Sequence, residues 1–296
     1  MEKIINQLKA IMAADNLSQV QVSRGVGVSP TTMNLFINGT YSGNNQKIVD
    51  KVQQFIERHT ERKDVQAGTL SFVLTKTVKK MLEVINIAHV DNGINVICGK
   101  AGLGKTEVLK YYKAQNSNAI LIETDVGYST KAVLELLCEA LNIQFTGATY
   151  SIMNACVKEL KGSDKIILVD EAENLPLKSL ELIRRIHDKT GVGVILSGTP
   201  RLLINLKGKK GELAQLYSRV GMLLQIGNAL PDEDIHAIIE STGYQGDIAD
   251  AIFNVALGSC RRIDKLFKLL KRMSRINDGV VTVAMVQDCA KRLVSA

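Results

Sequence analysis

The residues with the clearest chemical meaning form a glycine-rich segment at positions 99–106, which reads Gly-Lys-Ala-Gly-Leu-Gly-Lys-Thr. This GxxxxGK[ST] pattern follows an apolar run at 94–98 and precedes a helix-compatible stretch at 107–112. A strand, a glycine-rich turn and a helix in this order place backbone N–H groups and a helix N-terminus around phosphate oxygens. The pattern therefore predicts a nucleoside triphosphate site. Its expected ligand-binding residues are Gly99, Lys100, Ala101, Gly102, Leu103, Gly104, Lys105, Thr106 and Glu107.

A second segment indicates that the triphosphate is hydrolysed. The apolar run at 166–169 ends in Asp170 and Glu171, and continuous runs of this kind are typical of buried parallel strands. Carboxylates at the C-terminal end of such a strand lie where open α/β sheets bind ligands. We expect Lys105 to contact the β- and γ-phosphates, and Thr106 and Asp170 to hold Mg²⁺. We expect Glu171 to orient and activate the attacking water.

The composition limits the class of protein. The chain has 296 residues, 46% of them hydrophobic and 23% charged, which is ordinary for a globular protein of about two domains. No run approaches 18 apolar residues and the N-terminus lacks a signal-peptide pattern, so we expect a cytoplasmic protein without a membrane partner. The five cysteines are widely spaced and form no CxxC, which favours free thiols in a reducing compartment.

The charge distribution is consistent with a polyanionic partner. The formal net charge is +7, and residues 261–275 contain seven Lys and Arg residues against one acid. Lys265, Lys268, Arg272 and Arg275 recur at helical spacing, on one face of a predicted helix. A basic face can contact phosphates or can simply be solvated, and the sequence leaves both open.

Residues 1–60 are predicted to form a separate all-α domain of the helix-turn-helix type. A helix capped by Ser18 is followed by a turn at 25–28, and a second helix begins at Ser29-Pro30 and ends at Gly39. In this layout Thr31, Thr32 and Asn34 are the candidates to contact DNA bases. The predicted recognition helix contains no Lys or Arg, which favours weak or non-specific DNA contact.

The remaining chain divides into a linker at 61–74, an α/β core at 75–228 and a helical C-terminal domain at 229–296. In the core, five apolar runs alternate with helical segments, which predicts a parallel sheet with helices on both faces. No membrane-spanning segment or internal repeat is apparent.

The chain resembles the AAA+ ATPases and, within them, the target-DNA-binding transposition B proteins of Mu-like transposable phages. The resemblance spans nearly the whole chain in one order. It rests on segments 36–44, 75–79, 99–107, 170–172, 197–201 and 216–220. It implies ATP with Mg²⁺, weak ATP hydrolysis stimulated by DNA or a partner, and a C-terminal lid domain. It also implies helical self-assembly on double-stranded DNA and contact with a transposase.

Further residue roles follow from the same resemblance. Thr199 would be the polar sensor near the γ-phosphate, and Arg219 would be an arginine finger that reaches a neighbouring subunit's nucleotide. Arg261 would be the lid arginine that contacts phosphate, although Arg262 is adjacent. Loops that contain Lys131 and Tyr150 would line the inner face of the assembly and touch DNA.

Two other functions remain open at this point. A related AAA+ helicase-loader would have the same nucleotide site but would prefer single-stranded DNA. A helix-turn-helix transcription regulator switched by ATP would bind one defined operator, which fits poorly with a recognition helix that lacks Arg and Lys.

Overall fold

The computed structural model describes residues 1–66, 70–145, 147–208, 213–275 and 277–293. The chain forms two compact units that divide near residue 69. Within the described residues, no helix is both long enough and apolar enough to cross a membrane.

The described part of the first unit contains four helices, which are Glu2–Ala14 (α1), Gln19–Val26 (α2), Pro30–Ile37 (α3) and Asn45–Gln66 (α4). Helix α2 begins with a capping box, in which the Ser18 side chain accepts from the Gln21 N–H and the Gln21 side chain accepts from the Ser18 N–H. Ser29 caps α3 by accepting from the Thr32 N–H at 3.1 Å. The helices enclose a small apolar core, whose fully buried members are Leu8, Val22, Met33, Phe36 and Val52.

Two features of this unit differ from the sequence prediction. Gly25 and Val26 belong to α2, so the connection to α3 is only 27–29, and it begins at Gly27 with φ of +73°. The Phe55 ring packs against Gly25, 2.5 Å from where a Cβ would stand, so this helical position has no room for a side chain. In addition, α4 continues to Gln66, into the range predicted as a linker at 61–74. Residues 60–66 contain neither Gly nor Pro and are rich in helix-forming side chains.

The second unit contains a five-stranded parallel sheet in the order β2-β3-β4-β1-β5. Its strands are Ile94–Gly99 (β1), Ala119–Glu123 (β2), Ile166–Asp170 (β3), Gly193–Gly198 (β4) and Val220–Gly227 (β5). All residues of β1, β3 and β4 are buried, which explains their continuous apolar sequences.

Helices cover both faces of this sheet, as the alternation within each strand shows. Val96, Ile167 and Val194 join one core cluster, whereas their neighbours Ile97, Leu168 and Ile195 join another. The helices of the core are Lys76–Val90 (α5), Lys105–Gln115 (α6), Thr130–Ala140 (α7), Thr149–Leu160 (α8), Leu177–Thr190 (α9), Pro200–Lys207 (α10) and Ala214–Tyr217 (α11). Helices α5 and α6 pack on one face, and α7 to α10 pack on the other.

The described residues after β5 contain helices and no strand. These helices are Asp232–Glu240 (α12), Gly246–Ala256 (α13), Cys260–Ser274 (α14) and Val283–Arg292 (α15). They form a third apolar cluster, which includes Leu103 of the glycine-rich loop at only 2% exposure. The glycine-rich loop therefore contributes a side chain to the core of the C-terminal helices.

Candidate nucleotide site

The glycine-rich loop connects the C-terminal end of β1 to the first turn of α6. Gly102 and Gly104 have φ of +85° and +86°. This left-handed backbone conformation is unfavourable in free energy for residues other than glycine. The Lys100 N–H donates to the Gly227 carbonyl at 3.1 Å, which attaches the loop to the end of β5. The loop therefore has the strand–turn–helix setting that a phosphate-binding sequence requires.

The Lys105 side chain is buried and folds back along the loop. Its ammonium donates to the carbonyl oxygens of Gly99 at 2.8 Å and Lys100 at 3.0 Å. Burial lowers the pKa of Lys105, and the carboxylates of Glu173 and Asp170 oppose this shift. These contacts hold a cation at the end of the sheet, where it is available to phosphate oxygens.

Asp170, the last residue of β3, accepts hydrogen bonds from two hydroxyl groups. Thr106 Oγ1 donates to Asp170 Oδ2 at 2.6 Å, and Ser197 Oγ donates to Asp170 Oδ1 at 3.1 Å. A hydroxyl beside a carboxylate is the kind of oxygen donor set that suits Mg²⁺. The structure thus brings together the two residues predicted to hold the metal, which are 64 positions apart in sequence.

Glu171 follows Asp170 with φ of +51°, which turns the chain sharply at the end of the strand. The Thr124 hydroxyl makes contacts of 2.8 Å with the carbonyl oxygens of both Asp170 and Glu171 and so fixes this turn. The Glu171 carboxylate accepts from the Asn174 amide at 3.0 Å and is otherwise exposed. It is adjacent to the candidate metal ligand and open to water, as a carboxylate that activates water must be.

Glu173 is a component of the site that the sequence analysis missed. Its Oε1 accepts from the Thr199 N–H at 3.1 Å, and its Oε2 is buried without a hydrogen-bond partner among the described residues. Glu173 lies in a single 3₁₀ turn at Ala172–Asn174. The sequence Asp-Glu-Ala-Glu at 170–173 indicates a further carboxylate near the site. Only the 3₁₀ turn at Ala172–Asn174 shows where this carboxylate lies.

Thr199 lies directly after β4, as predicted, at the N-cap of α10. Its N–H donates to Glu173 Oε1, and its carbonyl accepts from the Leu202 N–H at 2.8 Å. Arg219 lies in the turn between α11 and β5, with Nε 3.4 Å from Asp188 Oδ1 and a side chain that is more than half exposed. In this protomer Arg219 therefore pairs with α9.

Arg261 is close to the glycine-rich loop. Its N–H donates to the Gly102 carbonyl at 3.3 Å, and a Cβ on Gly102 would lie 3.1 Å from the Arg261 Cβ and 2.8 Å from Ser259 Oγ. The adjacent Arg262 donates from Nε to the Val255 carbonyl at 2.6 Å. Of the two arginines, Arg261 is thus the one whose backbone contacts the loop.

The candidate DNA-contacting residues fall in two places. Thr31 and Asn34 are exposed on α3, whereas Thr32 is half-buried and its hydroxyl lies 2.9 Å from Ser29 Oγ. Lys131 and Tyr150 were predicted in loops, but they lie in the first turns of α7 and α8.

Helix α7 starts early because Ser129 caps it by accepting from the Ala132 N–H at 3.2 Å. Ala148 is the N-cap residue of α8, and the helix begins at Thr149, one residue before Tyr150. Lys131 pairs with Glu135 at 3.6 Å, while the Tyr150 side chain is 69% exposed.

Comparisons with known proteins agree with this geometry. Residues 88–206 match the family described as "AAA domain". The chain is 28% identical over 246 residues to "ATP-dependent target DNA activator B" of Escherichia phage Mu, an alignment that covers 81% of this chain and 78% of that protein. It is 25% identical to "Mu-like prophage FluMu DNA transposition protein B" of Haemophilus influenzae, over 82% of this chain and 86% of that protein.

Solved structures share the fold. The chain superposes on the Aeropyrum pernix ORC2 protein with a TM-score of 0.59 at 15% identity, covering 75% of this chain and 68% of that one. Domain III of the Thermotoga maritima replication initiation protein DnaA gives a TM-score of 0.52 at 15% identity, over 75% of this chain and 94% of that one.

The domain match covers the glycine-rich loop, Asp170 and Glu171, and the sheet that holds them is flanked by helices on both faces. The Mu and FluMu proteins match a larger part of the chain than the AAA domain does. This protein is an ATPase that contains an AAA domain, and it resembles the transposition B proteins of Mu-like phages.

Proposed function

We propose that this protein is an ATP-dependent activator of target DNA in transposition, which coats double-stranded DNA as a helical filament and recruits a transposase. The observation that carries the proposal is the similarity to two B proteins over about four fifths of the chain, well beyond the AAA domain. One relative is named a target DNA activator and the other a DNA transposition protein.

In this proposal the loop at 99–107 binds ATP, and Lys105 moves from its two carbonyl contacts to the β- and γ-phosphates. Thr106 and Asp170 would hold Mg²⁺, which neutralises charge on the phosphate oxygens when it is bound. Glu171 orients the attacking water and accepts its proton. The resulting hydrolysis is slow until DNA or a partner stimulates it.

Three further residues would connect the nucleotide to neighbouring parts of the assembly. Arg261 would contact phosphate from the C-terminal lid, which the approach of its backbone to Gly102 supports. Thr199 would report the terminal phosphate to α10. Arg219 would act as a finger in trans. Its exposed ion pair with Asp188 is of a kind that contributes little stability, so the side chain can leave Asp188 at small cost.

DNA contact is assigned to two regions. In this proposal α2 and α3 form the helix-turn-helix, supported by the Gly27 turn, the Ser29 cap and the exposure of Thr31 and Asn34 on the second helix. Because α3 has no Lys or Arg, this domain would add little phosphate attraction. Lys131 and exposed Tyr150 would contact the DNA backbone from the ATPase core, which favours binding without strong sequence preference.

The proposal is tested by measuring the affinity for a duplex of random sequence without nucleotide, with ADP, and with a non-hydrolysable ATP analogue. We expect tight binding only with the analogue, and a steep fall with rising salt because phosphates dominate the contact. Lys105→Ala should lose this dependence. Equal affinity in all three states would contradict the proposal.

The same experiment separates the two alternatives when the DNA is varied. A preference for single strands together with a stable helicase complex would indicate a helicase-loader. A footprint on one palindrome would indicate a transcription regulator.

A further inference from the structure

The Ser197 hydroxyl near the end of β4 has no part in the reaction proposed above. Every other residue of β4 is glycine or aliphatic, and Ser197 is fully buried among them. A hydroxyl in such a place is unfavourable unless it makes a hydrogen bond. Ser197 Oγ donates to Asp170 Oδ1 at 3.1 Å, so the buried hydroxyl is directed at one particular carboxylate.

The sheet brings these two side chains together on the side of the nucleotide loop. Val169 pairs with Leu196, so the next residues of the two strands, Asp170 and Ser197, lie at the same level. The residues two positions before each of them belong to the apolar cluster that α5 and α6 cover. Because side chains alternate along a strand, Asp170 and Ser197 point to that same face. Helix α6 carries Thr106 in its first turn, which places all three side chains together.

The Asp170 carboxylate is held at both oxygens, and its two donors differ in role. Thr106 Oγ1 donates to Oδ2 at 2.6 Å, but Thr106 is itself a predicted Mg²⁺ ligand. A hydroxyl that binds a metal ion turns its lone pairs toward the ion, so this hydrogen bond changes its geometry when the ion binds. Ser197 is not a predicted ligand, and its hydrogen bond to Oδ1 persists in both states. It therefore fixes the plane of the carboxylate before the ion arrives.

We propose that Ser197 is a positioning residue of the metal site, whose hydroxyl orients the Asp170 carboxylate so that Oδ2 faces the Mg²⁺ that accompanies ATP. This inference rests on the proposed function, in which Thr106 and Asp170 hold Mg²⁺. Ser197 itself touches neither the ion nor the nucleotide. Residues that hydrogen-bond a metal ligand in this way commonly contribute about 10- to 100-fold to the affinity for the metal.

Removal of the hydroxyl should reduce only the part of nucleotide binding that depends on the metal. In Ser197→Ala the Asp170 carboxylate loses its donor at Oδ1 and rotates about its terminal bond. Mg²⁺ should then strengthen ATP binding less than it does in the wild type. Without metal the carboxylate has no ligand to hold, so the affinity for metal-free ATP should stay the same.

The test uses the full-length protein and a fluorescent, non-hydrolysable ATP analogue. Its affinity is measured by titration in EDTA and again in saturating Mg²⁺, and thermal melting is recorded for each variant. For Ser197→Ala we expect wild-type affinity in EDTA and a gain from Mg²⁺ that is smaller by about tenfold. In the Asp170→Asn background the same substitution should add no further loss, because the carboxylate that Ser197 orients is absent.

Ser179→Ala is the matched control. It also removes a fully buried hydroxyl, but this hydroxyl lies on α9 and its partner is the Thr130 hydroxyl at 3.2 Å. Its response to Mg²⁺ should equal that of the wild type.

The outcomes separate this inference from the proposed function. If Asp170→Asn responds less to Mg²⁺ but Ser197→Ala responds as strongly as the wild type or more so, the role of Ser197 is refuted and the metal site stands. A wild-type response in Asp170→Asn would overturn both. Equal losses in EDTA and in Mg²⁺ with a lower melting temperature, or an added loss in the double variant, would assign Ser197 a general structural role and refute the inference. Since no DNA is involved, none of these results depends on filament formation.

Discussion

Asp170 is one of the two predicted metal ligands; it accepts from the other, Thr106, at one carboxylate oxygen and from Ser197 at the second. We expect Asp170→Asn to weaken the binding of Mg²⁺–ATP by about tenfold or more, since an amide is a poorer Mg²⁺ ligand than a carboxylate. Titration with a fluorescent ATP analogue, with and without EDTA, provides the measurement. EDTA should weaken binding by the wild type much more than binding by the variant. Equal sensitivity of the two proteins to EDTA would rule out Asp170 as a metal ligand.

Gly102 has two reasons to be glycine. Its φ is +85°, and a Cβ would come within 2.8 Å of Ser259 Oγ and 3.1 Å of the Arg261 Cβ. The left-handed backbone alone costs a substituted residue about 1–2 kcal/mol. We expect Gly102→Ala to weaken ATP binding and to push the segment at 259–261 away from the loop.

The control for this change is Gly93→Ala, because the added Cβ at Gly93 meets nothing within 4 Å and its backbone is not left-handed. Nucleotide titration and thermal melting of both variants give the comparison. If Gly102→Ala binds ATP as tightly as Gly93→Ala, the close contact between the loop and the C-terminal helices is unimportant for binding.

For individual residues, the sequence predicts those whose role follows from a local sequence motif. Lys105 and Thr106 belong to one continuous motif, and Asp170 ends a recognisable strand. Ser197 and Glu173 could not be found in this way. Ser197 reaches Asp170 only because β4 pairs with β3, and Glu173 reaches Thr199 only because the chain turns at Glu171.

Within the first unit, Asp15 at the end of α1 connects that helix to α4. Its carboxylate pairs with Lys63 and lies 2.7 Å from His59 Nε2. The hydrogen bonds from Lys63 and then His59 lower the pKa of Asp15 below its usual 3.8. Because the folded-state pKa is depressed, the contribution of this carboxylate to stability is present above pH ~4 and is lost as the pH falls through the folded-state pKa.

We therefore expect Asp15→Asn to lower the melting temperature of this unit at neutral pH. The difference from the wild type should shrink as the pH falls below 4. Thermal melts between pH 2 and 7 provide the measurement, and Asp50→Asn, on an exposed position of α4, provides a control. A difference that is constant over this range would show that the effect of the substitution does not depend on the ionised carboxylate.

The elements themselves were largely predictable. The five strands and the helices between them follow from apolar runs and helical periodicity, and the structure alters their ends by a few residues. The exceptions are decided by contacts that periodicity does not encode. Gly25 lies inside α2 where the Phe55 ring packs closely against it, and the Ser129 cap brings Lys131 into α7.

Mixing a variant of Arg219 with a variant of Lys105 tests whether neighbouring copies of the chain complete each other's nucleotide sites. In the proposed assembly, a Lys105→Ala protomer cannot bind ATP but still carries an intact arginine finger. An Arg219→Ala protomer binds ATP but lacks the finger. Each variant alone should hydrolyse ATP at least about 100-fold more slowly than the wild type.

A mixture of the two variants should recover part of the activity, because the finger of one protomer can reach the nucleotide of the other. Steady-state ATPase assays on the mixture, across a range of ratios and with DNA present, provide the measurement. A mixture that stays as inactive as its components would show that Arg219 does not act in trans.

The filament on DNA is the central claim, and negative-stain electron microscopy of the protein with duplex DNA tests it most directly. We expect continuous filaments with a non-hydrolysable ATP analogue and none without nucleotide. Glu171→Gln should form persistent filaments with ATP, whereas Lys105→Ala should form none. Bare DNA or isolated particles in the presence of the analogue, or filaments that form equally well without it, would contradict the account.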